Sequence, residues 1–98
     1  MKATELVRNR ITYAESAFSE IVVWQLPVSI SGSKNLYKYR LAYAVDGPCV
    51  IRYDNEAGKG DHRHSRGREY AYVFLSLDKL LADFQAEVRR FRNENRHS

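Results

Sequence analysis

A single cysteine, Cys49, among 98 residues excludes an intramolecular disulfide framework. No stretch approaches the roughly 20 consecutive apolar residues of a membrane span. The first residues, Met1-Lys2-Ala3-Thr4-Glu5-Leu6-Val7-Arg8, contain no apolar run of about 7–15 residues before a small-residue cleavage site, so a cytoplasmic address is expected. No internal repeat is apparent, and charge of one sign is not concentrated in a tail: the net charge of +4 divides evenly between the two halves. Glycine is scarce, yet three of the five glycines, Gly58, Gly60 and Gly67, fall within residues 55–67. What is present is an ordinary globular mixture, 44% hydrophobic and 29% charged, with arginine outnumbering lysine among the bases. A chain of this length buries about 65% of its unfolded surface, so its core is thin and a partner chain matters to it.

The patterning is mostly that of strands. Residues 18–27 alternate Phe18, Glu20, Val22, Trp24 and Leu26 with Ser19, Ile21, Val23 and Gln25, and Pro27 ends the run. Residues 28–36 read as a loop. Residues 38–45 place Tyr37, Tyr39, Leu41, Tyr43 and Val45 opposite Lys38, Arg40, Ala42 and Ala44. Asp46-Gly47 fits a two-residue type I′ hairpin, with residues 48–54 returning and Cys49, Ile51 and Tyr53 on one side. Cys49 is expected as a small buried group. Upstream, Leu6, Val7 and Ile11 suit a short helix or a first strand, and a strand is taken. Residues 55–67 read as a long loop with a strand through His62 and His64, and residues 69–75 as another short strand. Ser76 then caps a helix whose apolar stripe is Leu77, Leu80, Leu81, Phe84, Val88 and Phe91, with Asp78 early and Arg89, Arg90 and Arg92 late.

These pieces predict one α+β domain over residues 1–98: an antiparallel sheet of four to five strands with a C-terminal helix on one face. With Phe18, Trp24, Tyr39 and Tyr43 turned toward the helix, the Ile21/Val23 side stays apolar and calls for cover by another segment, a second copy or a different chain.

Reactive groups concentrate in residues 52–68. Residues 59–68 alone carry Lys59, Arg63, Arg66 and Arg68 against Asp61, a local charge of +3. His62-Arg63-His64 aims both imidazoles to one side of an extended chain. Paired histidines suit metal-independent RNA cleavage: one removes a proton from a 2′-hydroxyl while the other, or a lysine, donates one or stabilises the pentavalent phosphate. Arg52, Lys59, Arg63 and Arg66 would clamp the phosphate. His62 and His64 with Asp54 or Asp61 also have zinc-type chemistry, but the ligand count falls short, clustered cations oppose it, and His97 sits in a frayed terminus. The bland alternative is a solvated arginine-rich surface in which Asp54 and Asp61 merely pair with Arg52 or Arg63. In Tyr37-Lys38-Tyr39-Arg40 the alternation turns the tyrosines inward and leaves Lys38 and Arg40 for solvent or RNA.

Lys38-Tyr39-Arg40-Leu41-Ala42-Tyr43, Arg52-Tyr53-Asp54-Asn55 with Gly58-Lys59-Gly60-Asp61-His62-Arg63-His64, and Leu80-Leu81-Ala82-Asp83-Phe84 together resemble the TumE-like toxin family. The likeness spans nearly the whole chain, including Glu20-Ile21-Val22-Val23-Trp24. One departure is Glu15-Ser16-Ala17, where family members often carry Asp-Gly in the first turn. The resemblance implies the toxin of a toxin-antitoxin pair, encoded beside a helix-turn-helix antitoxin. By analogy with toxins that attack translation, it implies a ribonuclease. The expected catalytic set is then His62, His64, Lys59 and Asp54, with Asp54 orienting one histidine. The expected phosphate-binding set is Arg52, Arg63, Arg66, Lys38 and Arg40. No metal or cofactor and no membrane contact is expected; the partners are RNA, the antitoxin and a second copy of the chain. The competing classes are a non-catalytic RNA- or protein-binding toxin and a nucleotide-dependent transferase seating a phosphate on Gly58-Lys59-Gly60.

Overall fold

The computed structural model describes residues 2–95, so His97 lies outside the described residues. The alternating segments form β1 (Thr4–Ala14), β2 (Ala17–Gln25), β3 (Tyr37–Val45) and β4 (Cys49–Glu56), followed by β5 (Gly60–Ser65), β6 (Arg68–Ala71) and helix α1 (Leu77–Glu94). The strands make one sheet in chain order, β1-β2-β3-β4-β5-β6, each pair antiparallel. This is the expected α+β sheet with one C-terminal helix; it has six strands rather than four to five, the additional one being β5, which runs through His62 and His64 within the region read as a loop with a strand there. There β4 and β5 pair from Ile51↔Ser65 to Glu56↔Gly60, and a second tight turn at Arg66 and Gly67, both at positive φ (52° and 84°), opens β6. Beyond β6 the Tyr72 N–H still donates to the Asp61 carbonyl at 3.2 Å, and Phe74 packs against the Tyr37 and Tyr39 rings.

Asp46 and Gly47 have φ of 55° and 107°, as a type I′ turn requires, and the Val45 N–H donates to the Pro48 carbonyl at 3.0 Å. A register shift follows at once: Tyr43 pairs with Ile51 but Ala44 pairs with Cys49. That bulge puts Cys49 out of phase with Ile51, so the thiol is exposed rather than buried.

The β2–β3 register decides which face is core. Ile21 lies opposite Leu41 and Val23 opposite Tyr39, so these residues, with Tyr43, Ile51 and Tyr53, are buried against Leu80, Phe84 and Val88 of α1. The expectation that Phe18 and Trp24 join Tyr39 and Tyr43 under the helix is therefore corrected: they point to the opposite, open face. There Phe18 lies beneath the Arg10 guanidinium, 4.0 Å from its ring centre.

Helix α1 begins as its sequence dictates. Ser76 Oγ accepts the Lys79 N–H at 3.0 Å, Asp78 occupies the first turn and Arg92 the last. Glu87 is buried on its inner face, where it accepts from the Tyr53 hydroxyl at 2.6 Å and pairs with Arg63 at 3.4 Å. Among the described residues no helix is long and apolar enough to cross a membrane.

Candidate functional site

Strand pairing carries polar residues across the open face in two neighbouring rows. One runs Val22, Arg40, Asp54, His62; the other runs Glu20, Ala42, Arg52, His64, Glu69. Residues paired directly across a sheet project to the same side, so the face opposite the helix gathers two histidines, two carboxylates and two arginines over strands β3 to β6.

At the centre, His62 is buried between two acceptors. Its Nδ1 donates to the Gly60 carbonyl at 3.2 Å, since a carbonyl can only accept, and its Nε2 lies 2.7 Å from Asp54 Oδ1. The other oxygen, Asp54 Oδ2, is 3.0 Å from Arg52 Nε. The His64 ring meets His62 edge to face at 5.1 Å between centres. Glu69 Oε1 stands 3.8 Å from His62 Nε2 and 3.9 Å from His64 Nε2.

The ion pairs around Asp54 are close but off the hydrogen-bond axis. Among the described residues, the buried side-chain atoms without a hydrogen-bond partner are Arg52 Nε, Asp54 Oδ1 and His64 Nε2, all in this one cluster. A folded protein ordinarily satisfies such atoms, so three exceptions in one cluster single it out from the rest of the sheet.

Asp54, His62 and His64 present ligand atoms within 4.8 Å of one another, the right donors for a divalent transition metal. Their present geometry is that of a direct ion-pair cluster. At 2.7 Å, His62 Nε2 and Asp54 Oδ1 are closer than the roughly 3.3 Å that separates two ligands of a tetrahedral ion, and Arg52 already occupies the second oxygen.

The structure brings together Asp54, His62, His64 and Arg52, with Arg40 and Lys38 beside them on β3. It places three other expected residues elsewhere. Lys59 is exposed in the β4–β5 turn, 3.9 Å from Glu56. Arg63, one residue out of phase with the histidines, faces the helix, where it pairs with Glu87 and lies 4.3 Å over the Tyr70 ring. Arg66 turns to Glu94 and the Phe91 ring. The other carboxylate considered, Asp61, is also on the helix side. It accepts from Ser33 Oγ (2.6 Å), Asn35 Nδ2 (2.7 Å) and the Tyr39 hydroxyl (2.7 Å), tying down the loop of residues 26–36. That anchorage, together with burial as the larger cause, pushes the Tyr39 hydroxyl well above the ordinary tyrosine range.

Two residues of this face are not singled out as such by sequence reasoning, Trp24 and Glu69. Glu69 is identifiable only once Arg66-Gly67 is read as a tight turn that folds β6 back beside His64. Trp24 depends on which side of β2 is core.

A sheet with one covering helix and a histidine–carboxylate–arginine cluster on its open face defines a small α+β protein with a polar site on its uncovered side. The family model described as Toxin TumE matches residues 2–92, and the chain belongs to that toxin family. An antitoxin partner is implied by membership. No curated protein and no solved structure matches the chain.

Proposed function

We propose that this toxin cleaves RNA without a metal, using His64 and His62 as base and acid. The observation that carries the reading is the clustering of His62, His64 and Asp54 beside Arg52, with buried atoms of Arg52, Asp54 and His64 that make no hydrogen bond. His64, whose side chain is partly exposed and whose Nε2 makes no hydrogen bond and lies 3.9 Å from Glu69, takes the proton of a ribose 2′-hydroxyl. The 2′-oxygen attacks the adjacent phosphorus, and the bond from phosphorus to the 5′-oxygen breaks. His62, placed between Asp54 and the Gly60 carbonyl, supplies the proton that the leaving 5′-oxygen needs. Arg52 and Arg40 balance the charge on the pentavalent phosphate, and Asp54 orients His62.

The test is incubation of the purified protein with total RNA in EDTA, beside His62→Ala and His64→Ala variants. Fragments ending in 2′,3′-cyclic phosphate, from the wild type alone, are the expected result. Cleavage abolished by chelation would move the chemistry to an ion held by Asp54, His62 and His64. Toxicity retained by both variants would mean a toxin that binds its target without cutting it.

A further inference from the structure

A groove of about 400 Å³ opens on the same face beside the histidine cluster, and nothing in the cleavage step above uses its far end. It is lined by Val22 and Trp24 of β2, Lys38 and Arg40 of β3, and Arg52 and Asp54 of β4. Trp24 is a half-buried indole directed away from a core that is complete without it. Its cross-strand neighbour is Lys38, and that of Val22 is Arg40. An apolar floor thus ends in an aromatic ring, and two cations separate it from the Asp54–His62 pair. Glu56 at the rim is matched by Lys59 at 3.9 Å.

We propose that this groove is a subsite for a base of single-stranded RNA, stacked on Trp24, with Lys38 and Arg40 holding the intervening phosphates. The assignment rests on the cleavage reading for its substrate class. Strands lie about 4.8 Å apart, so Trp24 and His62, three strands from each other, are separated across the sheet by about 14 Å. A short extended segment spans that interval while its scissile phosphate lies at Arg52 and the histidines. Lys38 Nζ donates to the Asn55 carbonyl, which leaves two of its three protons for phosphate oxygens. The chemistry favours unpaired RNA over a duplex, because only a base free of its neighbours offers a face to the indole.

Trp24 is the only tryptophan in the chain, so its fluorescence reports on this groove and on nothing else. The wild-type protein is titrated with a short single-stranded oligonucleotide whose riboses are 2′-O-methylated, which removes the attacking hydroxyl, and with the same strand annealed to its complement. The single strand is expected to quench Trp24, in a manner weakened by salt, and the duplex to bind at least ten-fold more weakly. Measured by anisotropy of a labelled strand, Trp24→Ala weakens binding about ten- to a hundred-fold and Trp24→Phe recovers most of it. Binding with unchanged fluorescence, equal binding of the duplex, or wild-type affinity in Trp24→Ala would overturn the subsite. Cleavage of total RNA alongside keeps the two readings apart. Cleaved RNA with a silent Trp24 removes the subsite alone, and a quenched Trp24 with intact RNA keeps the subsite and removes the nuclease.

Discussion

His64 and Asp54 differ in how much of the fold depends on them. The His64 side chain is 31% exposed and its Nε2 bonds to nothing, whereas Asp54 is 8% exposed and faces both His62 and Arg52. Truncating His64 is therefore expected to leave stability within about 1 kcal/mol of wild type while lowering cleavage by roughly 10²–10⁴-fold. Asp54→Ala instead removes the buried carboxylate that both Arg52 and His62 face and costs roughly 3–5 kcal/mol. Thermal melts of the two variants, set against their cleavage rates, separate the roles; equal destabilisation would place His64 in the scaffold. At this scale the His62-x-His64 spacing was fully legible, because period two alone sets both rings on one face. The same rule, applied to Arg63, turns it away from them to Glu87, although it lies within the same basic cluster. Charge density along the chain thus groups Arg63 with the histidines although it faces the helix; the cations on the open face are Lys38, Arg40 and Arg52, on neighbouring strands.

Among the elements, the helix and the first hairpin read directly from sequence, since Ser76 and Asp46-Gly47 act through local geometry. The sheet face did not. Alternation in β2 separates Ile21 and Val23 from Val22 and Trp24 but carries no sign for which set meets the helix, both being apolar. The sign comes from register with β3, fixed through the loop of residues 26–36. That loop docks on the β4–β5 turn: Gly58 N–H donates to the Ser31 carbonyl at 2.7 Å, and a Cβ on Gly60 would meet the Gly32 carbonyl oxygen at 2.4 Å. Gly60 also has φ of +75°. Gly60→Ala is accordingly expected to cost at least about 1–2 kcal/mol. Because the Gly60 carbonyl also receives His62 Nδ1, cleavage should fall with it. Urea unfolding checks the first effect, and a variant as stable as wild type would show that the loop does not hold the turn.

The whole molecule stores much of its polar bonding in buried phenols. Tyr39, Tyr53 and Tyr72 all resist ionisation in the fold, chiefly through burial and then through hydrogen bonds to Asp61, Glu87 and Asp83. Each is raised above its unfolded value near 10, so its contribution is fully present below pH 10 and is lost as pH rises through the folded values. Stability should hold to about pH 10 and then decline, with phenolate absorbance from these three rings appearing only as the fold opens. Early, reversible ionisation of all seven tyrosines would contradict the packing. These phenols and the helix occupy one side of the sheet, which leaves the other for Asp54, His62, His64 and their arginines. The most direct measurement of what that open face does is cleavage of total RNA in EDTA by the wild-type protein and by His64→Ala, with the fragment ends identified. The account predicts 2′,3′-cyclic phosphate termini from the wild type and none from the variant; intact RNA with the wild type, or equal cleavage by both, would contradict it.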